Sequence, residues 1–432
     1  MGFQHGLSGL RAASAKLDVT GNNIANANTV GFKQSQAQFA DVYANSLGGG
    51  KNQIGIGTQL AAVAQEFNQG NVTPTNNPLD VAITGNGFFR MDNNGSISFT
   101  RNGQFHLDKD GFLVNASNYN VTGFGADASG QIIPNIPVNL RLPTADMTPK
   151  PTTSFMTGVN LDARIDLTTQ TTTPATSPTT PPTIPTFDVN DPSTYAHSTS
   201  GEVFDSFGNS HILNLYFQRT NPVAPAASAW DVFVTVEGAT SGATPTSGVI
   251  LNGGSPFELK FDSSGIMSTS VAPVDVEVIF DDPAIQQLDF KLDLTRSTQF
   301  GSKFGVNAMN QDGFASGRLA GYSISDNGEI RASYSNNVTR TVGQLVLAGF
   351  SNPNGLKPMG NNQWGETAES GLPLVGTPET GVLGSLQSSA VEESNVDLTT
   401  ELVSLIMTQR VYQANAKTIE TQDAVMQSIM NI

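Results

Sequence analysis

At 432 residues and a formal net charge of −16, the chain is too long for one ordinary core and too acidic to follow a phosphate backbone. It contains no cysteine, which removes disulfides, thiolate chemistry and cysteine zinc sites together. Only 13% of residues are charged, while Gly, Asn, Thr and Ser are plentiful, a composition that suits turn-rich β domains better than an enzyme core.

The first predicted element is a helix. Phe3, Leu7, Leu10, Ser14, Leu17, Gly21 and Ile24 follow near-heptad steps, and Ala12, Ala13 and Ala15 favour helix and allow close backbone approach. The same stretch lacks the basic region and continuous apolar core of a secretory signal, so general secretion is not expected. No segment is long and apolar enough for a bilayer, and a soluble chain is expected. Asn22, Asn23, Asn26 and Asn28 tolerate turn geometry and bond nearby backbone, so the helix is expected to end near Ala27 with a turn over Thr29 to Gly31, ahead of Phe32. Residues 39–70, glycine-containing and only partly alternating, are expected to form a flexible connector of extended chain.

From residue 71 strand and turn signals become dense. Leu79, Val81 and Ile83 alternate inward, and Asn94-Gly95, Asn102-Gly103 and Asp110-Gly111 separate short apolar runs. Phe99, Phe105, Leu107, Phe112 and Val114 are expected to face a core. Thr168 to Thr186 is rich in Thr and Pro and reads as an exposed loop. Strand patterns at 212–219, 230–238, 257–265 and 274–280 predict a second β-domain over 146–290. The texture of 71–145 returns over 291–384. The expected architecture is mainly β with terminal α-helices: a nested chain in which helical ends, 1–38 and 385–432, enclose an inner β-domain that encloses an outer one.

The last element carries the strongest signal. Asp397 can cap a helix that continues to the end without Gly or Pro, with Glu401 in its first turn. Leu398, Leu402, Leu405, Tyr412, Ile419 and Met426 form one stripe, and Met407, Val411, Ala414, Thr418, Val425 and Ile429 a second. Such a helix spans about 50 Å at roughly 1.5 Å per residue and gains little in water unless that face is buried. It needs a partner: the first helix, a neighbouring copy, or both.

Catalysis is not expected. The four histidines, His5, His106, His197 and His211, stand singly, and HLDKDG at 106–111 reads as a strand entering an Asp-Gly turn. Neither metal site nor cofactor is expected.

LSGLRAASAKLDVTGNNIANANTVGFK at 7–33 resembles the N-terminal segment of bacterial flagellar rod and hook proteins. NNPLDVAITGNGFF at 76–89 and FTRNGQFHLDKDGFLV at 99–114 are similar to further blocks of that family, as is the ending from SLQSSAVEESN onward. QDGFASGRLAGYSISDNGEI at 311–330 and LVLAGFSNPNGLKPMGNNQW at 345–364 look like the hook members in particular. The resemblance is dense over 1–145 and 290–432 and weak between. It implies a structural, non-enzymatic homo-polymer forming the curved, flexible tube that carries motor torque from rod to filament. It further implies export through the flagellar type III channel to an extracellular hook, and partners in the hook cap, distal rod and hook–filament junction proteins. The two helix stripes would then be assembly surfaces, and Asn22 to Phe32 a family turn motif. SNNVTR at 335–340 departs from the usual Ser-Asn-Gly-Gln turn, with Asn337 able to take the left-handed position. A distal rod subunit, or more remotely a secreted β-rich adhesin, are the alternatives; only the adhesin has no need of paired terminal helices.

Overall fold

Caps and turns decide where the terminal helices begin and end. The computed structural model describes residues 2–42, 55–127, 129–165, 186–222, 226–239, 249–250, 256–267, 273–280 and 284–430. Helix α1 covers Gly2–Ala25 and α2 covers Leu398–Met430. Asp397 caps α2: its Oδ1 accepts from the Thr399 and Thr400 amides at 2.8 and 3.2 Å, satisfying two donors that a helix start leaves open. Where α1 ends, the Asn26 side chain donates to the Asn22 carbonyl at 2.9 Å, and Gly31 turns the chain at φ +71°. Among the described residues no helix is long and apolar enough to cross a membrane.

The chain forms two compact units. The first comprises Met1–Thr144, Ala320–Ser333 and Thr339–Ile432; the second comprises Ala145–Leu319 and Tyr334–Val338. In the first, α1 and α2 lie antiparallel, with Asn23 beside Glu401 and Gly6 beside Ile419. Within residues 39–70, expected to be a connector of extended chain, the described parts are extended and contribute to a two-stranded antiparallel ribbon of β1 (Ser35–Val42) and β2 (Gly57–Gln65). Ladder hydrogen bonds along eight paired positions stiffen it. The ribbon also packs on α1, where the Thr58 amide meets Ser8 Oγ at 3.4 Å.

The β body of this unit is one large sheet. Strands 319–324, 329–334, 339–345, 120–125, 88–93, 96–100, 363–365 and 357–360 follow one another across it. Its core gathers Val81, Ile83, Phe89, Phe105, Leu113, Val121, Leu345 and Leu347. Phe99 and Val114 are buried as their alternation suggests, whereas Leu107 and Phe112 are only half-buried. Ser385–Ser388 and Ala390–Glu392, counted with the terminal helix by sequence, pair as strands with Val81–Thr84 and Val72–Pro74.

One turn recurs through both units. An Asp or Asn accepts the amides two and four residues on, and the residue three positions on is left-handed. It closes at Asp108, Asn115, Asp127, Asp205 and Asp262. At Asn115 the left-handed place falls to Asn118 (φ +59°) rather than glycine. The Ile266 amide, helped by Ser264 and Gly265, holds the Asp262 carboxyl below the ordinary carboxylate range.

The second unit contains two five-stranded sheets around one core of Phe155, Leu161, Leu215, Phe217, Trp230 and Phe290. Ser154–Asp162 is the hub of one sheet, pairing parallel with Leu288–Asp293 and Thr298–Phe300 and antiparallel with Gly305–Gln311. Sequence texture assigns 291–311 to the inner β-domain; these long-range pairings place it here. Asn337 takes φ +61°, the left-handed position expected of it. The Thr/Pro-rich stretch 168–186 lies outside the described residues except for Thr186.

Asp231 in this unit is a built-in liability. It stands directly opposite Glu258 across the ladder, half-buried, and burial followed by the Glu258 charge pushes its carboxyl up to about 6. Because the folded value is raised, the penalty is absent below the unfolded value near 4, grows as pH rises, and is complete above about 6. Asp231→Asn is expected to stabilise this unit at pH 7.5 by about 1–2 kcal/mol, discounted for solvent screening, and to change little at pH 4. Calorimetric melting at the two pH values checks it.

Candidate assembly surface

Small and polar side chains, with Ile419 from the first apolar stripe, line the seam between the helices. Gly6, Ala13, Thr20 and Asn23 are buried along α1, facing buried Glu401 and Thr408 and half-buried Leu405, Asn415 and Ile419 of α2. A β-carbon at Gly6 would lie 2.8 Å from Ile419 Cγ1, and one at Gly9 2.6 Å from Asn415 Oδ1, so these positions set the closeness of the axes.

Of the residues read as assembly contacts, the fold brings Ile419 against α1, half-buries Leu405 and leaves Leu398, Leu402, Tyr412 and Met426 exposed. On α1, Leu10, Leu17 and Ile24 are half-buried, while Phe3 and Leu7 are exposed. The second stripe is open as well: Met407, Val411, Val425 and Ile429 are 58, 52, 54 and 63% exposed. A glycine-lined α1 covers a narrow strip of α2, and apolar flanks remain on either side.

The asparagine motif does two different jobs. Asn26 ties back to Asn22 and accepts from Thr29 Oγ1 at 3.2 Å, an ordinary helix exit, and Asn28 is exposed. Asn23 is buried and joins three segments: it donates to the Ser35 carbonyl at 2.8 Å and to Glu401 Oε1 at 3.2 Å, and accepts from the Ser35 amide at 3.0 Å. Gln34 adds a second donor to Glu401 Oε1 at 2.6 Å. Phe32 is buried, and the Gly31 amide donates to the Glu392 carbonyl at 2.8 Å.

Sequence reading missed the group at the root of the pair. Lys33 Nζ donates to Glu392 Oε1 at 2.6 Å and Arg101 Nη1 to Glu392 Oε2 at 3.2 Å, with all three side chains 0–2% exposed. The Gly70 amide also reaches Oε1 at 3.0 Å, Lys33 donates to the Asn68 carbonyl at 2.6 Å, and Arg101 Nη2 to the Gly85 carbonyl at 2.9 Å. Burial pushes the Lys33 ammonium below lysine's ordinary value; Glu392 opposes this, and the Arg101 charge adds to it. Isolated charges in GFK, FTR and AVEES carry no spacing that links them, so only the fold reveals the clasp.

Two grooves flank the ribbon. One of about 510 Å³ runs between α1 and β2, lined by Gln4, Leu7, Ser8, Arg11, Ile56 and Leu60. The other, of about 380 Å³, is bounded by Gly9, Ala13 and Lys16 of α1, Phe39, and Met407 and Val411 of α2. Among the described residues no three His, Cys, Asp or Glu side chains gather as metal ligands.

Four family models match the chain in order. They are the flagella basal body rod protein over 3–33, the flagellar hook protein FlgE/F/G D1 domain over 82–164, the flagellar basal body protein FlaE D2 domain over 160–314, and the flagellar basal body rod FlgEFG protein C-terminal over 387–432. Flagellar hook protein FlgE of Escherichia coli K12 is 36% identical and that of Salmonella typhimurium LT2 37%, each covering 100% of both chains. The Treponema pallidum hook protein is 31% identical over 99% of this chain and 98% of its own. The crystal structure of Helicobacter pylori flagellar hook protein FlgE2 superposes with a TM-score of 0.53 at 16% identity, covering 74% of this chain and 100% of that one, which speaks to the fold alone.

Proposed function

From the premise that this chain belongs to the flagellar hook protein FlgE family, we propose how its parts build the hook. The chain is a structural subunit of the bacterial flagellar hook. In our reading it polymerises through α1 and α2 into a curved, flexible tube that passes torque from rod to filament. The helices and ribbon form the inner layer, lining the tube. Export through the flagellar type III channel, growth beneath a cap, and junctions with the distal rod and hook–filament proteins complete the reading.

The exposed apolar flanks of α2 carry this proposal. A lone chain leaves Met407, Val411, Val425 and Ile429 in water, together with Leu402 and Ile406. Covering the rest of each is worth about 1 kcal/mol, half the value for full burial of such a side chain. Repeated from copy to copy, that drives an open, heterologous assembly. The test is electron microscopy in polymerising salt of the full chain beside one lacking residues 398–430. Curved tubes from the full chain and none from the shortened one are expected; equal assembly by both would remove the terminal helices from the assembly role.

A further inference from the structure

The assembly reading leaves open what fits the groove beside α1, and on that reading we propose that it receives the projecting end of α2 from a second copy, with Asp423 of one chain paired to Arg11 of the next. Helix α2 has 33 residues and α1 has 24. With Ile419 beside Gly6 in an antiparallel pair, α2 runs past the start of α1 from about Asp423 onward. Ile419, Asp423, Met426 and Met430 recur at four- and three-residue steps, so one face continues from the seam into the projecting end. That face has lost its partner: Met426 and Met430 are 59 and 82% exposed.

The groove is complementary in both respects. Gln4, Leu7, Ser8 and Arg11 form one flank of α1, distinct from the Gly6, Gly9 and Ala13 flank that α2 of the same chain occupies. Exposed Leu7 and Leu60 make its wall apolar, and its volume of about 510 Å³ is open to flexible methionine side chains. Among the described residues Arg11 is the one cationic side chain in its lining, neither Arg11 nor Asp423 belongs to an ion pair, and Asp423 accepts only from Gln427 Nε2 at 3.1 Å. Tip into groove is a head-to-tail contact, which repeats without closing on itself.

Charge reversal tests it in the full chain. Arg11→Glu and Asp423→Arg lie on exposed positions, and their monomers should melt like wild type. Each alone is expected to raise the threshold concentration for tubes about tenfold. The double variant, and an equimolar mixture of the two single variants, should both return to within a few-fold of wild type, because each tip then meets an opposite charge in the next groove. Single variants that assemble like wild type would overturn this contact while leaving the hook reading intact. Rescue by the double variant but not by the mixture would put the pair within one chain, and rescue by neither would deny the pairing; both outcomes overturn the proposal.

Discussion

Glu392→Ala is expected to destabilise the first unit by about 3–5 kcal/mol, the usual cost of stranding buried charge. Lys33 and Arg101, both buried, would lose the single carboxylate that neutralises them, and the Gly70 amide an acceptor. Glu392→Gln retains the shape and some hydrogen bonding but not the charge, and should fall between. Replacing all three at once, Lys33→Met, Arg101→Met and Glu392→Leu, is expected to cost far less than Glu392→Ala, because no charge then remains to be solvated. Denaturant unfolding of the four proteins at neutral pH reads the order directly. A loss below about 1 kcal/mol for Glu392→Ala would mean that water reaches the site and screens it.

The second expectation concerns the turn that leads into the clasp. Gly31 sits at φ +71°, and a β-carbon there would lie 2.6 Å from the Asn102 amide nitrogen and 2.8 Å from the Arg101 carbonyl carbon. Both are main-chain atoms, which cannot swing away as a side chain would. Gly371 has nearly the same φ, +75°, with nothing within 4 Å. Gly371→Ala should therefore cost about 1–2 kcal/mol, the left-handed penalty alone. Gly31→Ala adds a clash worth about 1–3 kcal/mol. The difference between the two unfolding free energies isolates the collision from the backbone preference. Equal costs would mean that the Asn102 loop yields freely.

Local signals in the chain were legible in proportion to how local their physics is. Asp397 marked the start of α2 because a cap acts over three residues, and Asp110-Gly111 marked a turn because its bonding closes within five. The apolar stripes of α2 were equally plain, yet they left the choice of neighbour open. Periodicity reports that a face must be buried; whether α1 or another copy buries it depends on Gly6 and Gly9, whose small size brings α1 onto a narrower strip. The ribbon was hidden because residues 35–42 pair with 57–65 across an intervening stretch, with a register shift at Gln38 and Phe39 that blurs the alternation. Local texture assigns the strands at 298–311 to the inner β-domain because their partner, Ser154–Asp162, lies about 140 residues earlier and shares no turn with them. Nothing local could have joined Lys33, Arg101 and Glu392.

The ties that root the helices have a consequence for timing. Lys33 meets Glu392 across 359 residues, Gln34 meets Glu401 across 367, and Asn23 meets Glu401 across 378. Contacts so distant along the chain are the slowest to form. In a chain that appears amino end first, α1 pairs with the ribbon early but lacks α2 until the last segment is free. The clasp therefore marks completion of the chain: one that ends before Glu392 and Glu401 lacks the groups that close the first unit.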